Sequence, residues 1–250
     1  LHCTFGILHF AIFPQALEIA HARSMLDILF EDNHLLAVNK PAMLPTMGVA
    51  DDRPSLLAEA KEYVRQRYNK PGNVYLGIVS RLDAPVTGVV LLARTSKAAG
   101  RLSKQFRERD VEKTYCTVVD GQIEPAAGQL TDYMRKDERH RRMHIASERT
   151  PGAQRAELAY RLLEESNSPF IFSLLEVRPL TGRKHQIRVQ LANAGFPIVG
   201  DRKYGSRRPF PAGIALHSRR LVIEHPVSKM QLAIEAPLPT AWNRFLSGRV

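Results

Sequence analysis

Only two cysteines, Cys3 and Cys116, occur in the 250 residues of this chain. Two thiols build neither a disulfide framework nor a Cys-based zinc site, and their scarcity fits a reducing, cytoplasmic setting. Long apolar runs are missing as well. None approaches the roughly 20 residues that a membrane span needs, and no basic helix with a bulky apolar face offers a membrane-surface anchor. There is no GxGxxG, no P-loop, no HExxH and no Cys/His zinc pattern, so no cofactor and no metal is implied. Neither an internal repeat nor a Ser/Gly linker divides Met25 from Val250. Negative charge is the minority: 25 Asp+Glu stand against 36 Lys+Arg, a formal net charge of +11.

What is present is the composition of an ordinary soluble globular protein, 44% hydrophobic and 24% charged. Most of the cations are arginine, whose planar fork suits phosphate and stacks on bases. Nucleic acid is therefore the leading partner class, ahead of an anionic membrane or no polyanion at all. The bias peaks between Arg178 and Gly205 (RPLTGRKHQIRVQLANAGFPIVGDRKYG). Carried three residues further, this stretch holds Arg178, Arg183, Lys184, Arg188, Arg202, Lys203, Arg207 and Arg208 against the single acid Asp201. Glycines punctuate it at 182, 195, 200 and 205. Such a run is suited to holding a polyanion close to a defined backbone.

Residues 1–24 read as an unstructured leader or an over-called start, with Met25 opening a single domain that runs to Val250. A secretory signal fits poorly, because no Lys or Arg precedes the apolar run Phe5 to Phe13. Asp27 to Asn39 predicts two short strands around a turn. Ser55 caps a helix bearing Leu56, Leu57, Ala60, Tyr63 and Val64. Val74 to Ser80 and Val89 to Ala93 read as strands, the second buried on both faces. Arg81 to Pro85 between them must be a loop, since Pro85 cannot sit in a central strand. Ser96 caps a second helix, Lys113 to Val119 is a strand, and Glu124 to Gly152 reads as polar and irregular. Ala156 to Leu163 and Phe170 to Val177 return to strand character. Thr181 starts a helix that ends at Gly195. Gly213 to Ile223 and Gln231 to Ala236 are the last strands. With strands outnumbering helices and few helical crossovers, the fold class is α+β, with a mixed, largely antiparallel sheet.

Several residues could carry chemistry. Asp83 lies in the loop between two apolar strands, with Arg81 and Leu82 just before it. Taken alone, an aspartate there is ordinarily a turn former. Arg188 borders the buried face of its predicted helix, and a half-buried arginine needs an anion. Asp83 is the intrachain candidate, and the cation would hold that carboxylate ionised. A structural ion pair would leave the same mark. Tyr115, at a strand start, can stack on a base or fill the core. His140 and His144 stand among arginines and read as part of a phosphate-facing loop. His185 and His217 are isolated and read as satisfied structural histidines.

At these positions the chain resembles the RluA-type pseudouridine synthases. Ser80-Arg81-Leu82-Asp83 with Thr87-Gly88 is similar to their catalytic loop, and Lys113-Thr114-Tyr115 to their K-x-Y motif. Arg178 to Leu191 is similar to their R-x-x-T-G-R-x-H-Q-I-R-x-x-L segment, and Phe196 to Gly205 to their P-I-x-G-D-x-x-Y-G turn. Four motifs in the family's order are more specific than any one alone. Ser80, Val86-Thr87 and Gln190 depart from the common pattern. The resemblance implies a bent sheet flanked by helices and loops around a central basic cleft. It also implies cofactor-free isomerisation of uridine in ribosomal or transfer RNA. Asp83 would be the essential carboxylate, paired with Arg188, and Tyr115 would pack beneath the target uracil. Leu191 would shape the pocket, while Arg81, Leu82, Arg183 and Lys184 would meet the RNA. The S4 domain of many relatives is expected to be absent, leaving affinity to a monomeric catalytic domain with no obligate protein partner. A non-catalytic RNA-binding or chaperone protein of the same fold, and a nucleoside hydrolase, are the rival readings.

Overall fold

The computed structural model describes residues 26–48, 53–140, 142–166 and 171–245. The expected leader and Met25 lie outside them. Among the described residues, eleven strands join one sheet in the order β1-β2-β4-β10-β5-β9-β8-β6-β7, with β3 on β4 and β11 on β10. Every pairing is antiparallel except β4 with β10. Three α-helices complete a mixed α+β architecture.

The amino-terminal half follows the apolar pattern. β1 (Ile28–Glu31) and β2 (Leu35–Lys40) form a hairpin beside β4 (Thr87–Ala93), all seven residues of which are buried. On β2 and β4, side chains alternate between two cores. Leu35, Ala37, Val89, Leu91 and Ala93 face α2 (Ser96–Glu108), while Leu36, Val38, Val90 and Leu92 face α1 (Leu56–Arg67). Burial on both faces explains why β4, after Thr87, is a continuous run of apolar residues and glycine. Ser55 does cap α1, accepting from the Ala58 N–H, but Thr95 rather than Ser96 caps α2. Of the strand expected over Val74 to Ser80, only Gly77–Ile78 (β3) pairs.

The larger core lies between β5 (Glu112–Asp120), β9 (Phe172–Pro179), β10 (Leu216–Glu224) and α3 (Gln186–Asn193). Trp242 and Phe245 close it. β11 (Gln231–Glu235) extends the edge of β10.

Two further expectations need correction. The stretch from Glu124 to Gly152 is not irregular: β6 (Ala127–Asp137) and β7 (Arg142–Ala146) form a hairpin, and β6 also pairs with β8 (Gln154–Ser166). Its apolar signal is thin because Met134 is the one fully buried residue of β6. Nor does Thr181 begin a helix. Its hydroxyl donates to Gln186 Oε1 at 2.7 Å and accepts the Glu157 N–H at 2.9 Å, so the chain there is still tied to β8. The helix starts only after His185 has taken a left-handed φ of 54°.

Candidate active site

Two glycines fix where the Asp83 loop runs. Gly88 has φ +108° and lies against β10 so closely that a Cβ would sit 2.2 Å from the Ser218 carbonyl oxygen. Gly213, at φ +75°, would place a Cβ 2.1 Å from the Pro85 carbonyl oxygen. Both positions require a residue without a side chain. Within the loop the Val86 N–H donates to the Asp83 carbonyl at 3.0 Å. Thr46 grips Leu82, its hydroxyl donating to the Leu82 carbonyl and accepting the Leu82 N–H. Ser80 Oγ accepts the Leu91 N–H at 2.9 Å, so its side chain ties the loop's entry to β4.

Beneath the loop lies a residue the sequence did not flag. Lys40, the last residue of β2, has no exposed surface. Its Nζ donates to the carbonyls of Pro41, Leu44 and Ala84 at 2.8, 2.8 and 3.0 Å. Three acceptors match the three protons of an ammonium. Burial pushes Lys40 down to about 7, with the Asp83 carboxylate opposing.

Arg188 reaches the loop from α3. Its Nη1 donates to Asp83 Oδ2 at 2.8 Å. Its other face is held by Asp201, which accepts from Nε at 2.7 Å and from Nη2 at 2.9 Å. This two-pronged contact fixes the plane of the guanidinium, and the Tyr204 ring lies 5.0 Å from Cζ. Burial opposes the charge, yet Asp201 and Asp83 together drive the pKa of Arg188 upward. The lone acid of the basic run is thus the anchor that aims Arg188.

The pair sits in a cleft of about 840 Å³, within the range of ligand sites. Arg81, Lys113, Arg183, Lys184, Arg188 and Lys203 line it, and Asp83 is its only acid among the described residues. Tyr115 lines the same cleft. Burial pushes its hydroxyl up to about 12, against a hydrogen bond with Ser218 and with help from Asp83, so the ring is a neutral phenol. Arg81 is exposed and Leu82 half-buried between two cores. Arg183 donates from Nε to the Arg155 carbonyl at 3.1 Å, and Lys184 is exposed beside it. Leu191 is the exception among the expected site residues. It is fully buried in the larger core and supports the cleft from behind rather than lining it.

The two histidines part company. His217 is a satisfied core residue: Nδ1 lies 2.7 Å from Thr87 Oγ1 and Nε2 3.2 Å from the Ala236 carbonyl. Its burial pushes it down to about 4. His185, by contrast, is not isolated. Its Nε2 is 3.6 Å from Asp83 Oδ1 and its Nδ1 2.6 Å from the Tyr204 hydroxyl. Spacing held the clue, since His185 precedes Arg188 by three residues and Tyr204 follows Asp201 by three. Among the described residues, no three His, Cys, Asp or Glu side chains gather as a metal site. No helix among them is long and apolar enough to cross a membrane.

Residues 34–193 match the model of the RNA pseudouridylate synthase family. The tRNA pseudouridine synthase C of Vibrio cholerae is 34% identical over 239 residues, spanning 89% of this chain and 95% of its own. An uncharacterized RNA pseudouridine synthase of Bacillus subtilis, YhcT, is 33% identical over 214 residues, 86% of this chain and 69% of its own. The solved structure of human RNA pseudouridylate synthase domain containing 4 superposes with a TM-score of 0.71 at 26% identity. That superposition covers 87% of this chain and 92% of the human one. A sheet of this order, a carboxylate and guanidinium facing each other in a basic cleft, and these relatives agree: the chain belongs to the RluA-type RNA pseudouridine synthases, enzymes that isomerise uridine in RNA.

Proposed function

We propose that this enzyme converts a uridine of structured RNA, transfer RNA foremost, to pseudouridine in the cytoplasm. In this reading it works as a monomer, without a cofactor or an obligate protein partner. The observation that carries the reading is the Asp83–Arg188 contact of 2.8 Å in a cleft whose other charged lining is cationic. Relatives named for tRNA, one of them matched over 95% of its length, favour tRNA as the substrate.

The reaction conserves atoms. The bond between N1 and C1′ breaks, C5 bonds to C1′, the C5 proton leaves and N1 gains a proton. The target base is stacked inside the RNA, so the nucleotide must be flipped out at a cost of a few kcal/mol. Phosphate contacts from Arg183 and Lys184 offset that cost, and Arg81 fills the gap the base leaves. Asp83 is the essential carboxylate acting on the flipped nucleotide, held in place by Arg188. Tyr115 packs beneath the uracil as an uncharged ring.

The test maps pseudouridine across total RNA with and without the gene, then restores wild type or Asp83→Asn. A site that vanishes and returns only with wild type supports the reading and names the substrate. Restoration by Asp83→Asn contradicts it.

A further inference from the structure

His185 is the middle link in a chain of polar contacts that runs from Met143 through Tyr204 to Asp83. The Tyr204 hydroxyl accepts the backbone N–H of Met143 on β7 at 3.1 Å. The same oxygen lies 2.6 Å from His185 Nδ1, and the opposite ring nitrogen, Nε2, faces Asp83 Oδ1 at 3.6 Å. Arg188 takes the other carboxylate oxygen, Oδ2. Two residues of one helix entry thus divide the carboxylate between them. The ring has little room to turn away. Its side chain is 9% exposed, its backbone is fixed at φ 54°, and it meets the Tyr204 ring edge-on with centroids 5.7 Å apart.

Counting protons sets the direction of the chain. A phenol has one hydrogen. With Met143 donating to the oxygen, that hydrogen points at Nδ1, which becomes an acceptor. A neutral imidazole then carries its own hydrogen on Nε2, toward the carboxylate. The reverse tautomer would set a nitrogen lone pair against an anionic oxygen. Burial pushes His185 down to about 4 against the pull of Asp83, with Arg188, Lys203 and Lys184 adding to the push. The ring is therefore neutral at physiological pH.

We propose that His185 is a positioning residue for the isomerisation: a neutral donor, its tautomer set by Tyr204, that holds Asp83 Oδ1 toward the flipped nucleotide. The 3.6 Å gap exceeds a hydrogen bond, and in this proposal it closes as the flipped nucleotide fills the cleft. The assignment rests on Asp83 being the essential carboxylate.

Nitrogen-15 NMR of the histidine rings tests it in the full chain, with His185→Gln assigning the signal. Wild type should show His185 neutral at pH 7 with its hydrogen on Nε2. A hydrogen on Nδ1, or a charged ring at pH 7, overturns the proposal. Tyr204→Phe keeps the ring beside Arg188 and removes only the hydroxyl. It should mix the two tautomers and lower kcat on bulk tRNA about tenfold, with KM changed less than about twofold. His185→Gln, whose amide reaches toward the place of Nε2, should stay within about threefold of wild type, whereas His185→Phe should lose about tenfold. An inactive Asp83→Asn beside a Tyr204→Phe of wild-type kcat sinks the positioning role alone. An active Asp83→Asn sinks the carboxylate reading beneath it.

Discussion

Asp201 is the residue on which the geometry of Arg188 turns. Both side chains are nearly inaccessible, and the two-pronged contact leaves Nη1 pointing at Asp83. Asp201→Asn keeps the shape but takes the compensating charge from a buried cation. A loss of about 3 kcal/mol in denaturant-derived stability is expected, together with at least a tenfold fall in kcat. Unchanged stability and kcat would show that Asp83 alone suffices to hold Arg188. The sequence marked this acid as the single one in a basic run but said nothing of its partner, because thirteen residues of separation hide the contact. Lys40 was hidden for another reason: a lysine at a strand end reads as solvated, and only the fold shows it donating to three carbonyls under the Asp83 loop. Asp83 with Arg188 was legible because a half-buried arginine demands an anion and a loop between apolar strands offered one.

At the scale of elements, legibility followed apolar content. β4, α1 and α2 could be read from buried positions, whereas the β6–β7 hairpin could not. The register pairs Arg135 with His144 and Asp137 with Arg142, so Arg135, Arg142 and His144 share one face with the acid Asp137. The other face, through Met134 and Ile145, belongs to the small core that also holds Val189 of α3. A strand with one thinly apolar face and one charged face gives little period-2 signal. We propose that this charged face meets the RNA backbone. Replacing Arg135 and Arg142 with alanine should raise Kd for tRNA and flatten its log–log salt dependence by about two, one for each phosphate that then keeps its counterion. The kcat at saturating tRNA should hold. An unchanged salt slope would remove the hairpin from the RNA surface. The close approach at Gly88 makes the opposite kind of prediction, because Gly88→Ala meets backbone rather than solvent. A stability loss on the order of 3 kcal/mol or more is expected by denaturation. A variant as stable as wild type would mean β4 and β10 part easily.

Across the whole molecule, two buried histidines tie stability to pH. His185 and His217 both fall from 6.5 to about 4. The unfolded chain therefore binds more protons than the folded one between these values, and stability drops as pH falls from about 6.5 toward 4. His217 contributes up to about 3 kcal/mol of that loss, and His185 adds to it in the same direction. Urea midpoints at pH 7 and pH 4.5 check it, and His217→Gln should shallow the slope. Equal midpoints would contradict the burial argument. The net charge of +11 belongs to this scale too, since it supplies the long-range attraction that precedes any specific contact. The most direct measurement of the central claim follows the atom that must leave. With tRNA carrying tritium at uridine C5, wild type should release label into water and Asp83→Asn should release none while still binding the RNA. Release at the wild-type rate by Asp83→Asn would contradict the account.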